Sequence, residues 1–183
     1  MSSAFDLIKA DLYRHTGKLS TGLLIKNMMF NPGFKYMFWF RLCRSKNYLL
    51  RSFARLMHKN LSIRYQIQIP KETNVGPGLY LGHGTGIIIN STAKIGANCN
   101  LSPFTVVGSN HSKAATIGDN VYIGPHVTIV ESVHIANGVE IGAGCVVVKD
   151  IPKYGVVVGN PGRVLNQGSV CRYIQNPYLK KEG

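Results

Sequence analysis

An aliphatic residue recurs at every sixth position along the second half of this chain, at Ile117, Ile123, Ile129, Ile135, Ile141 and Val147. Four positions after each of the first five comes a small or β-branched apolar residue, at Val121, Val127, Val133, Val139 and Cys145. A six-residue step fits neither an α-helix nor an alternating strand. It is typical of a solenoid, in which a short strand and a corner repeat so that equivalent side chains stack.

The repeat extends upstream with two interruptions. Ile69, Val75, Leu81 and Ile87 keep the six-residue step, and Ile89, Ile95, Leu101 and Val107 continue it two residues out of phase. From Val107 to Ile117 the step is ten, so we expect about four extra residues to form an extruded loop within 109–116. A long loop that interrupts a regular solenoid is more often functional than structural.

The first third of the chain differs from the repeat in charge. The net charge of +13 divides into +10 for residues 1–64, with twelve Lys/Arg against two acids, and +3 for the remainder, with nine against six. Helical spacing of apolar residues predicts helices over 4–14, 21–30, 34–42 and 48–64, with a break at Asn31-Pro32-Gly33. We therefore expect a basic α-helical cap over 1–64, a β-helix over 65–165 and a C-terminal tail over 166–183.

Three interpretations of the basic segment stay open. It could cover the open first coil of the solenoid, cover that coil and also contact an anionic membrane surface, or bind nucleic acid, for which no motif is present. The sequence contains no run of about 18 apolar residues, so we predict no membrane-spanning helix. The N-terminus also lacks the pattern of a signal peptide. Cys99 and Cys145 occupy core positions of the repeat, so we expect buried free thiols and a cytoplasmic protein. The basic segment adds the expectation of peripheral contact at the inner membrane face.

Two of the six histidines stand at irregular points of the repeat. His83 lies in Gly82-His83-Gly84-Thr85-Gly86, where glycines let other groups approach, and His111 lies in the predicted loop. Histidine is the usual general base near neutral pH, so both are candidate catalytic residues. His15, His58, His126 and His134 are expected to pack or to face solvent, and no His or Cys spacing predicts a metal site.

The turn after the last repeats offers a candidate ligand surface. Gly159-Asn160-Pro161-Gly162 is a tight turn that would expose backbone amides, with Lys149 and Arg163 nearby. Such a surface suits a polyanionic ligand that contains amides.

Several of these motifs resemble those of the hexapeptide-repeat acyltransferases, in the serine acetyltransferase branch. They are Tyr65–Pro70, Gly82–Gly86, Asn110-His111, Ile141–Gly144 and Gly159–Arg163. The resemblance implies a mainly β fold, a left-handed parallel β-helix with an N-terminal α-helical cap, assembled as a homotrimer. It also implies acetyl-CoA in the groove between neighbouring β-helices, with no metal. His83 and His111 would be catalytic, and the cofactor-binding residues would be Gly124, Gly142, Ala143, Lys149, Gly159, Pro161 and Arg163.

Three positions depart from the serine acetyltransferase pattern. Gln68 and Gly82 replace two aspartates, and Asn110 replaces an arginine that would meet the serine carboxylate. A zwitterion needs such charged partners, so we expect these residues to bind a neutral acceptor, a sugar hydroxyl as in the polysaccharide O-acetyltransferases. Serine O-acetylation and a non-catalytic β-helix scaffold are the alternatives. A backbone carbonyl or Glu72 is the candidate for orienting His83.

Overall fold

The chain folds into four helices followed by a parallel β-helix, in a computed structural model that describes residues 3–168 and 171–179. The helices are α1 (Ala4–Thr16), α2 (Thr21–Phe30), α3 (Pro32–Leu42) and α4 (Tyr48–Tyr65). The strands are β1 (Asn74–Val75), β2 (Tyr80–Leu81), β3 (Ile88–Ile89), β4 (Lys94–Ile95), β5 (Asn100–Leu101), β6 (Val106–Val107), β7 (Thr116–Ile117), β8 (Tyr122–Ile123), β9 (Thr128–Ile129), β10 (His134–Ile135), β11 (Glu140–Ile141), β12 (Val146–Val147), β13 (Gly155–Val158) and β14 (Arg163–Gln167). Within the described ranges no helix has the length and apolar character needed to cross a membrane.

Three sheets form the sides of the β-helix, which confirms the solenoid predicted from the six-residue step. The first sheet is β1-β4-β7-β10, the second is β2-β5-β8-β11-β13 with β14 added at its end, and the third is β3-β6-β9-β12. All pairs are parallel except the β13–β14 hairpin. Each two-residue strand points its second side chain inward, so the aliphatic residues of successive coils stack into one continuous core. All four cysteines are free and buried, as expected for Cys99 and Cys145.

Two corners of this triangular coil carry the candidate site residues, and we call them the histidine edge and the loop edge. The histidine edge joins the second sheet to the third and comprises residues 82–87, 102–105, 124–127 and 142–145. The loop edge joins the third sheet to the first and comprises residues 90–93, 108–115, 130–133 and 148–150. Both edges are built from turns, several of which hold a residue at positive φ.

The helices begin at side chains that cap their first turns. Ser3, Ser20, Asn31 and Asn47 each accept a hydrogen bond from a backbone N–H of the helix that follows. The predicted break at Asn31-Pro32-Gly33 is shorter than expected, because Pro32 is already the first residue of α3. Proline suits that position since its fixed φ is helical and its missing N–H would have no helical partner.

A buried ion pair fastens the helices to the first coil. The guanidinium of Arg41 donates to both carboxylate oxygens of Asp11, at 2.8 and 3.0 Å. It also donates to the carbonyl oxygens of Val75 and Gly76, and Asp11 accepts from the backbone N–H of Leu79 at 3.0 Å. Because every strong polar atom of the pair has a partner, the two charges are held within an apolar interface.

The C-terminal segment 171–179 returns along the outside of the second sheet. Near its start, the backbone N–H of Arg172 donates to Glu140 on β11 at 2.7 Å. Near its end, the N–H of Tyr178 donates to the side chain of Asn98, next to β5, at 2.8 Å, and Asn98 donates back to the Tyr178 carbonyl at 3.2 Å. The segment thus bridges the last coils and the early coils.

Candidate functional site

His83 stands on a corner that is two residues longer than its equivalents. Six residues separate β2 from β3 on the histidine edge, whereas four separate β5 from β6, β8 from β9 and β11 from β12. The insertion explains why the repeat changes phase after Leu81. It also places His83 outside the column of stacked side chains. There the His83 side chain is exposed, and its backbone has a φ of 58°.

The N-terminus of α3 packs directly against this corner. A Cβ on Gly84 would lie 2.3 Å from the backbone nitrogen of Gly33, and a Cβ on Gly33 would lie 2.3 Å from the carbonyl oxygen of Leu81. Neither glycine can therefore be replaced without moving backbone. The helical cap holds the residue next to His83 in place, which the sequence alone did not indicate.

The histidine edge continues below His83 as a column of small and aromatic residues. Phe104 and His126 stack in successive coils with ring centroids 4.7 Å apart and an interplanar angle of 19°. The next coil presents Gly142 and Ala143, and the hairpin over 159–162 closes the column under β12, where the Gly162 N–H donates to the Val146 carbonyl.

Three of the seven residues expected to contact acetyl-CoA lie on this edge, Gly124, Gly142 and Ala143, and three more lie in or next to the turn that closes the column: Gly159, Pro161 and Arg163. Lys149 is separated from them, on the loop edge. At two of these positions packing also requires glycine, because a Cβ atom would come too close to a neighbouring atom. A Cβ on Gly124 would be 2.8 Å from the Ile141 carbonyl oxygen, and one on Gly142 would be 3.0 Å from a Val158 methyl.

The predicted loop is present on the loop edge, where eight residues separate β6 from β7 against four at the equivalent corners. One carboxylate oxygen of Glu131, from the coil below, accepts hydrogen bonds from the N–H groups of Asn110, His111 and Ser112 at 2.9, 2.9 and 3.1 Å. The hydroxyl of Ser109 adds a fourth at 3.0 Å. These donors, led by the N–H of His111, lower the pKa of Glu131 to about 2.

The candidate catalytic and acceptor residues fall into two groups within one chain. Gln68 pairs with Ile88 at the start of the third sheet, next to the corner that carries Gly82 and His83. Asn110 and His111 are exposed on the loop edge, across the third sheet. A strand rises about 3.3 Å per residue, so a five-residue crossing of that sheet separates the two edges by roughly 15 Å.

Glu72 was a candidate partner of His83, but it does not lie beside His83 within one chain. It lies in the turn before β1, on the far side of the third sheet, where it is exposed and paired with Lys71. Among the described residues the His83 imidazole has no hydrogen-bond partner, so the structure offers no group of this chain that orients it. The cause is topological, since residues 71–73 turn from the third sheet towards the first.

The other histidines pack or face solvent, as expected. The ring of His15 lies 4.3 Å from that of Tyr80, and burial lowers the pKa of His15 to about 4. His58 packs between Tyr36 and Phe40, and His134 is exposed on the first sheet. Over residues 3–168 and 171–179 no group of three His, Cys, Asp or Glu side chains is arranged to hold a metal ion.

Sequence reasoning missed two residues of the site, Glu131 and Gly33. Glu131 has one signal in the sequence, because it is an acid at a corner one coil after the insertion, 20 residues from His111. Gly33 gives no such signal, since its partner Gly84 belongs to another part of the fold.

Comparison with known families and sequences gives a consistent result. The family described as "Bacterial transferase hexapeptide (six repeats)" matches residues 114–149. A serine acetyltransferase of Staphylococcus xylosus is 32% identical over 130 residues, which cover 69% of this chain and 59% of that protein. Serine acetyltransferase 4 of Arabidopsis thaliana is 31% identical over 116 residues, covering 61% of this chain and 33% of that protein. The chain thus spans about a third to three fifths of the length of these relatives.

Solved structures show the same similarity in three dimensions. Soybean serine acetyltransferase in complex with serine matches with a TM-score of 0.74 and 27% identity, over 89% of this chain and 70% of that chain. Serine acetyltransferase of Brucella abortus matches with a TM-score of 0.74 and 23% identity, over 88% of this chain and 68% of that chain, which supports the fold.

Proposed function

We propose that this chain, a hexapeptide-repeat protein of the serine acetyltransferase-like branch, transfers the acetyl group of acetyl-CoA to a hydroxyl group. The observation that carries the proposal is the histidine edge. There an exposed His83, raised by a two-residue insertion, stands above a column that ends in the turn over 159–162. A long thin ligand laid along this edge would have one end at His83 and the other at Arg163.

The chemistry that His83 would perform is direct transfer. Its imidazole accepts the proton of the acceptor hydroxyl while the oxygen forms a bond to the thioester carbonyl carbon. The carbon–sulfur bond then breaks, and coenzyme A leaves as the thiol after taking up the proton. Covalent catalysis by cysteine is disfavoured, because Cys43, Cys99, Cys145 and Cys171 are buried and burial raises the pKa of each thiol.

A complete site requires a second copy of the chain in this proposal. His83 and His111 lie on opposite edges of the third sheet, so the His111 loop of one protomer would meet His83 of its neighbour in a homotrimer. The outward residues of the third sheet support such packing, since Ile88 is 43% exposed and Val106 and Val146 are partly exposed. An apolar sheet face of this kind favours burial against another copy.

The acceptor has two candidates. The names of the similar proteins favour serine, and the solved soybean relative contains serine. The second candidate is the neutral sugar hydroxyl expected from the sequence, and it is favoured by Gln68, Gly82 and Asn110, none of which carries a charge. A serine site with no charged partner for the ammonium or carboxylate group would lose several charge-assisted hydrogen bonds.

Release of the coenzyme A thiol from acetyl-CoA tests both the proposed acetyl transfer and the identity of the acceptor. L-serine, nucleotide sugars and oligosaccharides are compared as acceptors, with His83→Ala and, as the control, His134→Ala. Both histidines are exposed, but His134 lies on the first sheet, away from the proposed ligand path. We expect His83→Ala alone to abolish turnover. Equal turnover by His83→Ala and the wild type would refute the proposed chemistry and favour a scaffold.

The shared site has a test of its own. When His83→Ala and His111→Ala chains are assembled together at random, about a quarter of the sites would combine His83 of one protomer with His111 of its neighbour. We therefore expect activity to return to about a quarter of the wild-type value, although each variant alone is inactive. No recovery in the mixture would show that each site belongs to one chain.

A further inference from the structure

Helix α4 carries a second apolar face that none of the residues described by the structure covers. Leu49, Phe53, Leu56 and Ile63 are 77%, 52%, 56% and 72% exposed and lie on one side of the helix; we call them the apolar stripe. Helical residues advance by about 100° each, so the stripe lies well away from the buried face of α4. Single exposed apolar residues are common, but a row of four along a helix marks a contact surface.

Helix α2 extends the same kind of surface. None of its residues is buried, and Ile25, Met29 and Phe30 are 55%, 62% and 74% exposed. Both α2 and α4 pack on α3. The ring of Trp39 on α3 lies 5.4 Å from that of Phe53, which connects α3 to the stripe.

The charges on these two helices have one sign. Neither α2 nor α4 contains an acidic residue, while together they hold Lys26, Arg51, Arg55, Lys59 and Arg64. Two copies of the chain joined through this surface would bring cations against cations, which opposes association. An anionic surface with an apolar interior satisfies both features at once, because phosphates meet the cations and the apolar side chains leave water.

We propose that the surface formed by α2 and α4 binds an anionic lipid bilayer, with the apolar stripe inserted among the headgroups and the lysines and arginines on the phosphates. The chain would lie on the membrane without crossing it. The inference is independent of the reaction, since neither helix supplies a residue to the histidine edge or to the loop edge.

Co-sedimentation with vesicles tests the proposal. The wild type is compared on phosphatidylcholine vesicles with and without phosphatidylserine, beside the stripe variant Leu49→Gln/Phe53→Gln/Leu56→Gln and the charge variant Arg55→Gln/Lys59→Gln. The control Lys94→Gln/Lys153→Gln removes the same charge from exposed positions on the β-helix. We expect binding only to the anionic vesicles, weakened by salt and lost in the stripe variant.

The loss of vesicle binding in the charge variant has an expected size. A basic residue near an anionic membrane contributes a factor of about five to binding, so the charge variant should bind roughly 25-fold more weakly. The control should change binding by less than about twofold, because its lysines lie on the β-helix and outside the surface formed by α2 and α4. Circular dichroism of each variant monitors folding, and the charge variant decides the matter if the stripe variant is unfolded.

Three results would overturn the proposal. The first is equal binding by the wild type and the stripe variant. The second is an equal loss in the charge variant and the control, which would indicate attraction by net charge alone. The third is a stripe variant that still binds vesicles but has a changed assembly mass, measured by light scattering without vesicles. The surface would then be a contact between protein chains. Thiol release without vesicles separates these results from a failure of the proposed reaction.

Discussion

Replacing Gly84 with alanine probes whether the helical cap holds the His83 corner. The new Cβ would lie 2.3 Å from the backbone nitrogen of Gly33, 2.7 Å from its Cα and 3.0 Å from the carbonyl carbon of Pro32. Gly84 also has a φ of 53°, in the left-handed region. Since backbone atoms cannot rotate away as a side chain can, the corner and the start of α3 must separate by about 1 Å.

The cost has two parts that can be added. The left-handed conformation costs a residue with a Cβ about 1–2 kcal/mol relative to glycine, and forcing an extra carbon into packed structure costs about 1–3 kcal/mol. The free energy of unfolding should therefore fall by about 2–5 kcal/mol. For a protein of this size each kcal/mol lowers Tm by roughly 2–4 °C, so the expected shift is about 4–20 °C.

Two other glycines separate these parts. Gly144 has a φ of 70° but no atom within 4 Å of its Cβ position, so Gly144→Ala should show the conformational cost alone, about 1–2 kcal/mol. Gly108 has neither a close neighbour nor a positive φ, so Gly108→Ala should be neutral or stabilise by up to about 1 kcal/mol.

Thermal and denaturant unfolding of the three variants, with thiol release at a saturating acetyl-CoA concentration, complete the test. A displacement of about 1 Å near a reacting group can lower the rate about 100-fold, so Gly84→Ala should lose activity well beyond Gly144→Ala. Equal losses of stability in Gly84→Ala and Gly144→Ala would refute the idea that α3 clamps the corner.

Two further predictions concern the carboxylates of Glu131 and Asp11. Glu131→Gln should leave the fold intact but loosen the loop around His111, seen as faster proteolysis of the loop; unchanged proteolysis would contradict the clamp. Because the folded pKa of Glu131 is lowered to about 2, its anchoring is complete above about pH 4.5 and should be lost as the pH falls towards 2. Asp11→Ala leaves Arg41 buried without its counter-charge and should cost about 3–5 kcal/mol by denaturant unfolding, whereas Asp11→Ala/Arg41→Met should recover part of this. A double variant no more stable than Asp11→Ala would argue against an uncompensated charge.

The solenoid and its loop could be predicted from sequence because the information is periodic. Each coil repeats the same six-residue pattern, so a departure from the step, such as the ten residues from Val107 to Ile117, identifies an insertion directly. The two-residue phase change between Ile87 and Ile89 likewise reports the long corner at His83. Helix bounds were also close, apart from Pro32, whose place in the first turn follows from its fixed φ.

The contacts that hold the site could not be predicted, because they join residues without any shared periodicity. Gly33 meets Gly84 across the interface between the cap and the first coil, and Arg41 reaches Asp11 and the first coil at once. Such contacts depend on how the helices dock. The expectation for Glu72 fails within one chain for the same reason, since proximity along the chain does not reveal on which corner a residue lies.

The returning segment 171–179 has a consequence for how the molecule unfolds. A stack of coils in which each touches only its neighbours can fray from its ends, one coil at a time. Here the segment fastens β11 to the coil of β5, and the ring of Tyr178 also meets that of Tyr13 on α1 at 6.2 Å. Opening the last coils therefore requires release of the early coils and of α1. The segment links coils that are not neighbours, so the coils should unfold together. Removing the segment should broaden a single cooperative unfolding transition into a gradual one.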